Sequence, residues 1–176
     1  MKVQGRTIKN LVLAINFILA GAFFMALPAC NSSTANSTAK QDTKPAEPFI
    51  LFQKTPCFGI CPAYEASIAT NGSITFIGWD HVPVIDTVKL YLAPQDLAIL
   101  RKDVQQLKYK TLQDTYLTQW SDMPSTITTF YEKGRQVKKV KQEEGGPEQL
   151  IQFQDKLHKM IMKLVEEEAK GRLPKQ

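Results

Sequence analysis

The chain has 176 residues, 43% of them hydrophobic and 22% charged, with 22 basic residues against 17 acidic ones. That length suits one globular domain with a single core. The net charge of +5 is no argument for nucleic-acid binding, because much of it sits in the first thirty residues.

Those residues open with Lys2, Arg6 and Lys9, continue in an apolar run from Leu11 to Leu27 broken by Asn16, and end in Leu27-Pro28-Ala29-Cys30. A basic start, an apolar middle and small residues at a cut site make a secretory signal over residues 1–29. Leu27 three positions before Cys30 resembles a bacterial lipobox, which implies that Cys30 is acylated and becomes the new N-terminus. Pro28 departs from the small residue usual there, and the alternatives are an uncleaved anchor or cleavage without lipid. With the signal removed the balance is 19 basic residues against 17 acidic. Several acyl chains would tether the product to a membrane without spanning it. The expected place is the cell envelope, and the outer membrane because Asn31 and Ser32 follow the cysteine with no acidic residue beside it. Residues 30–47, rich in Asn, Ser, Thr and Ala, read as the lipidated cysteine and a flexible linker.

A single domain is expected over 48–170, with a tail from 171 to 176. Phe49 to Lys54 is a first strand. Tyr64 to Thr70 and Ser73 to Trp79 are a hairpin around Asn71-Gly72. A three-residue turn with Gly72 left-handed places Ile68 opposite Ile74 and Ala66 opposite Phe76, the register that keeps one face apolar. Val84 to Leu92 is a fourth strand. Pro94 opens a helix whose stripe is Leu97, Leu100, Val104 and Leu107. Residues 110–124 form an irregular loop. Ser125 to Glu132 and Arg135 to Lys141 make a second hairpin, in which Val137 and Val140 have opposite parity, so that one is exposed or a bulge intervenes. Pro147 starts a last helix with Leu150, Phe153, Leu157, Met160, Ile161 and Leu164 as its stripe, ended by Gly171. The order β-β-β-β-α-β-β-α predicts an α+β fold: a mainly antiparallel sheet of about six strands with two helices on one face.

The string Thr55-Pro56-Cys57-Phe58-Gly59-Ile60-Cys61-Pro62-Ala63-Tyr64 stands out. In an oxidising compartment Cys57 and Cys61 pair. Along an extended strand their Cα atoms would lie about 13 Å apart, too far for a bridge. The chain must therefore curl between its two prolines, and Gly59 allows unusual torsions there. Two chemical alternatives are thiol–disulfide exchange and Cu(I) handling by Cys57 and Cys61. The C-x3-C-P order resembles the metal loop of copper chaperones of cytochrome oxidase assembly, but those have a helix after the motif and an added histidine, where a hairpin is expected here.

The same string also resembles a family of bacterial envelope domains, many of them lipoproteins, classed only as a domain of unknown function. The resemblance covers Phe49 to Val165 and is carried further by Asn71-Gly72, by Gly78 with Val82, and by Ser121-Asp122-Met123-Pro124-Ser125. It implies a fold and a location but no activity.

Trp79, Asp80 and His81 at a strand end, with Tyr116, Trp120 and Asp122 beyond the first helix, form a candidate ligand surface. The competing role for Tyr116 and Trp120 is to cap an open edge of the core. Asp80-His81 could serve general base work, yet no nucleophile motif accompanies it, so no catalytic residue is assigned and a hydrolase ranks third. His158 is expected to be solvated beside the last helix's stripe. No metal site and no cofactor are expected. The leading expectation is a non-enzymatic accessory or binding domain, held to a membrane by lipid, whose partner is an envelope protein or a small ligand and not nucleic acid.

Overall fold

The computed structural model describes residues 46–172. The signal peptide expected over 1–29, Cys30, the expected linker as far as residue 45 and the last four residues of the expected 171–176 tail lie outside the described residues. Seven strands and two α-helices follow in the order β1 (Pro48–Lys54), β2 (Ala63–Ala69), β3 (Ser73–Asp80), β4 (Thr87–Tyr91), α1 (Pro94–Leu107), β5 (Thr115–Tyr116), β6 (Thr126–Glu132), β7 (Arg135–Gln142) and α2 (Glu148–Arg172). A single 3-10 turn, Tyr109–Thr111, links α1 to β5. The strands form one sheet in the order β4-β3-β2-β1-β6-β7-β5.

The α+β class and the mainly antiparallel sheet match expectation; the strand count does not. There are seven strands, and β5 pairs parallel to β7 through Thr115↔Lys141 and Tyr116↔Gln142, so the sheet is mixed. Two residues are too few to show any side-chain period, and residues 110–124 therefore read as a plain loop.

Alternation along the strands explains the core. Ile50 and Phe52, Tyr64, Ala66 and Ile68, Ile74 and Phe76, Val88 and Leu90, Phe130 and Val140 all point to one face. They are buried there with Leu97, Leu100, Val104 and Leu107 of α1 and Leu150, Phe153, Leu157, Ile161 and Val165 of α2. Among the described residues the core runs from Ile50 to Val165 and is one continuous cluster. The first hairpin has the expected register, Ala66↔Phe76 and Ile68↔Ile74, and Gly72 turns with φ of 88°, where a side chain would be strained. In the second hairpin the register slips between Phe130↔Lys138 and Tyr131↔Gln136. Val137 is the extra, exposed residue of that bulge, and Val140 returns to the core.

Two boundaries and part of the α2 stripe differ most from the sequence reading. The fourth strand begins at Thr87, not Val84, because residues 82–86 fold back over β3. Helix α2 runs through Gly171 to Arg172, since a glycine near an exposed helix end costs little. Within α2, Gln154 and Val165 are buried while Met160 and Leu164 are only half-buried. No helix among the described residues is long and apolar enough to cross a membrane.

The sheet has two poles. Residues that precede β1, the β2–β3 turn, the β6–β7 turn and the end of β4 gather at one, called here the entry pole. The β1–β2 loop, the β3–β4 loop, the start of β6 and the end of β7 gather at the other.

Candidate functional site

The second pole is built on the cysteine loop. Cys57 and Cys61 are joined by a disulfide with their Cα atoms 5.7 Å apart. The curl forms without help from a left-handed glycine. Positive φ is not found at Gly59, whose N–H instead donates to Cys57 Sγ at 3.2 Å. The base of the loop is fastened to the start of β6 twice over: Thr55 N–H donates to the Ser125 carbonyl at 3.0 Å, and Ser125 N–H donates to Thr55 Oγ1 at 2.7 Å. Pinned at both ends, the loop presents Phe58 and Ile60 to solvent, 93% and 86% exposed.

Closing a loop of about five residues restricts the unfolded chain and contributes about 2 kcal/mol. Replacing both cysteines by serine is expected to lower the unfolding free energy by about that much, read from urea midpoints, with the far-ultraviolet spectrum unchanged. An effect near zero would show that the bridge constrains nothing.

The residues singled out from sequence converge on this pole from both sides. Trp79 and Asp80 end β3, next to Ala63 at the loop's exit. His81 is held by its neighbour: Asp80 Oδ1 accepts from its backbone N–H at 2.9 Å and Oδ2 lies 2.9 Å from its Nδ1. This is a closed, local clasp at a residue with φ of 50°. Among the described residues no hydroxyl or thiol lies within hydrogen-bond distance of His81, so no observation favours the hydrolase. Asp122 and Met123 form a cleft of about 280 Å³ with Pro56, Cys57 and Phe58.

Tyr116 and Trp120 part company. Tyr116 packs against the core from β5, its ring lies against Gly146 and its Oη accepts from Gln113 N–H at 3.0 Å, so it caps the edge. Trp120 is 66% exposed on a loop held by Thr118, whose N–H donates to Glu143 and whose hydroxyl donates to Glu144. The hydrogen bonds of Lys141 and then Thr118 hold the Glu143 carboxyl below the ordinary carboxylate range.

Seven large apolar side chains stand exposed at this pole: Phe58, Ile60, Trp79, Ile85, Leu117, Trp120 and Met123; Tyr91, Ile99 and Val137 are the exposed ones elsewhere among the described residues. Scattered exposed apolar residues are ordinary, but a concentration on one set of pinned loops is not. Asp80, Asp86, Asp122 and Glu144 are exposed among them.

One group lay beyond sequence reasoning. His158 is not solvated: it is half-buried, and its ring stacks on Tyr64 with centroids 5.8 Å apart. The Tyr64 hydroxyl lies 2.9 Å from His158 Nδ1. Tyr64 is wholly buried and tilted against Phe52 and Phe76. Burial pushes its phenol well above the ordinary range. Burial, then the nearby Lys54 charge, pushes the His158 imidazole down. Lys54 is itself lowered by burial and donates to Thr126 Oγ1 at 3.3 Å. The only available signal was that Tyr64 shares the inward parity of Ala66 and Ile68, so its hydroxyl needed a partner. Which helix residue supplied it was not readable. Among the described residues no three His, Cys, Asp or Glu side chains converge as a metal site would require.

Residues 48–161 match the model of a family described as a domain of unknown function (DUF6438). The chain belongs to this family. The match spans nearly all of the stretch over which the resemblance was expected, stopping one helical turn short of Val165. It identifies the DUF6438 domain as a whole and does not by itself single out the Thr55–Tyr64 string. No curated protein matches the chain.

Proposed function

We propose that this DUF6438 domain is a lipid-tethered binding module of the bacterial cell envelope, and that its docking surface is the disulfide pole. The observation that carries this reading is the concentration of exposed apolar side chains on loops stiffened by the Cys57–Cys61 bridge and the Thr55–Ser125 hydrogen bonds. Stiffening matters because a loop already fixed in one shape loses little entropy when it binds. The apolar tips, ringed by Asp80, Asp86, Asp122 and Glu144, suit a protein partner with an apolar recess and a basic rim. The N-terminal signal and Cys30 support export and acylation, and the oxidised cysteine pair is consistent with an oxidising compartment.

Two measurements test it. The mature N-terminus is expected to begin at an acylated Cys30 by mass spectrometry, and Cys30→Ala to abolish membrane retention. A photo-crosslinking residue at Phe58 or Ile60 in intact cells is expected to give one discrete adduct, absent when the probe stands at Tyr91. Phe58→Ser/Ile60→Ser is expected to leave stability within about 0.5 kcal/mol, since neither side chain is buried, while removing an adduct formed through a probe at Trp120. Equal labelling from Phe58 and Tyr91 would refute a docking surface at this pole.

A further inference from the structure

The entry pole has a different chemistry. A groove of about 560 Å³ opens there beneath the end of α1. Its floor is apolar: Phe49, Val104 and Phe130, with Tyr109 stacked on Phe130 at 4.3 Å between centroids. Its rim is cationic, with Arg101, Lys108 and Lys110 against the single carboxylate of Glu132.

That carboxylate is already engaged. Glu132 Oε1 accepts from the Tyr109 hydroxyl at 2.6 Å and pairs with Lys110 Nζ at 2.6 Å. Lys110 and then Tyr109 hold Glu132 below the ordinary carboxylate range, while burial, then the hydrogen bond and charge of Glu132, push the Tyr109 phenol up to about 12. Tyr109 therefore remains neutral at physiological pH. Arg101 donates to the Thr70 carbonyl at 2.6 Å, which spends one of its five donors on fixing the guanidinium over the groove. Lys108 stands exposed at the helix C-terminus with φ of 48°. Lys133 and Arg135 lie exposed on the adjoining β6–β7 turn.

Phe49, on the groove floor, is the second residue of β1, so the chain enters the domain beside the groove. The anchor proposed above would be linked to this point by the segment from Cys30 to Glu47. The pole at which the described chain enters the sheet combines an apolar recess with surplus cations, and the far pole is acidic with exposed apolar tips. Both charge patterns orient the domain the same way on an anionic surface.

We propose that the entry-pole groove binds an anionic glycerophospholipid of the membrane, the phosphate meeting Arg101 and Lys108 and the glycerol and first methylenes lying on Phe49, Val104 and Phe130. The site would seat the domain on its own membrane with the disulfide pole directed away from it. This rests on the tethered reading for its biological setting, but not for the binding itself.

The test uses the chain from Asn31 onward, which keeps every described residue and lacks any acyl group, with vesicles of phosphatidylcholine alone or of phosphatidylcholine and phosphatidylglycerol in equal parts. The protein is expected to float with the anionic vesicles and not with the neutral ones. Arg101→Glu/Lys108→Glu is expected to lower partitioning by about tenfold or more. The chain's two tryptophans both stand at the far pole, so nitroxide-labelled lipid should leave them unquenched in the bound state. Gln105→Trp puts a reporter on the groove wall that the same lipid should quench, and it keeps the test open if the charge-reversed protein folds poorly. Equal flotation with neutral vesicles, an unquenched Gln105→Trp reporter, or quenching of Trp79 and Trp120 would each overturn the proposal, the last by showing that the apolar tips enter the bilayer. Competition by free glycerophosphate would show a soluble anion site and equally overturn it. Acylation of Cys30 is scored separately, so either idea can fall without the other.

Discussion

Gly78→Ala is expected to destabilise the domain by about 3 kcal/mol or more. Gly78 lies on the inward parity of β3, after Ile74 and Phe76, where the next side chain would enter the core. No side chain is there, because the β3–β4 connection occupies the space. A Cβ at residue 78 would stand 1.9 Å from the Val84 carbonyl oxygen and 2.9 Å from Val82 Cγ2. The first contact is with backbone, so no rotamer change relieves it. The Gly78 N–H also donates to the Asp86 carbonyl at 3.0 Å, which holds the connection in place. Moving it would withdraw Val84, 6% exposed, from the core as well. The comparison is Gly171→Ala, where an added Cβ meets nothing within 4 Å and the helix favours alanine; that change is expected to be neutral or to stabilise by a few tenths of a kcal/mol. Urea unfolding of both variants checks this, and a Gly78→Ala protein within about 0.5 kcal/mol of the parent would mean that the close approach is not real.

The second large effect is expected at Tyr64. Tyr64→Ala removes a fully buried ring that touches Phe52, Phe76 and His158, and is expected to cost about 4 kcal/mol. Tyr64→Phe keeps the ring and leaves His158 Nδ1 without its partner, at a cost of about 1–2 kcal/mol. The parent and Tyr64→Phe also separate in pH. His158 is lowered in the folded state, so the unfolded chain binds the extra proton first. The stability it contributes is present above the unfolded value of about 6.5. It is lost as pH falls through the lower folded value, and His158→Asn should flatten that slope. Tyr64 is raised, so the folded state keeps its proton while the unfolded chain loses it above about pH 10. Stability should therefore fall as pH rises past that point in the parent and fall less in Tyr64→Phe. Lys54, lowered by burial, works in the opposite sense over the same alkaline range, so the informative quantity is the difference between parent and variant. If both proteins lose stability identically above pH 10, the phenol is not buried as described.

Where a short-range rule governed, the residues could be read directly. Only a turn of Thr70, Asn71 and Gly72 kept Ile68 and Ala66 opposite apolar partners, and that is the register found. The α1 stripe of Leu97, Leu100, Val104 and Leu107 is buried at all four positions. The conflict between Val137 and Val140 announced a bulge, and Val137 is its extra residue. Thr115-Tyr116 was unreadable as a strand because two residues carry no period. Gly78 gave no sign of its role because the atoms that forbid a side chain there belong to a loop four to six residues on, folded back by a hydrogen bond. His158 was misread because helix periodicity places a residue beside the stripe but does not say what the facing strand offers; here it offered the only buried phenol.

The candidate surface divides in the same way. Composition and spacing identified Cys57 and Cys61, Trp79 to His81, Trp120 and Asp122 as unusual, each within its own segment. The antiparallel order β3-β2-β1-β6-β7 then brought their loops to one end of the sheet and the basic groove to the other. The amino-acid sequence by itself determined the α+β class and the faces of the strands and helices, because these follow from side-chain periodicity, and it offered the cysteine bridge as one of three readings of the C-x3-C loop. Only the tertiary structure decided which loops became neighbours, which polar groups were desolvated together and that the two poles differ in charge, because those depend on strand order, which couples residues far apart in sequence through contacts that no local pattern encodes.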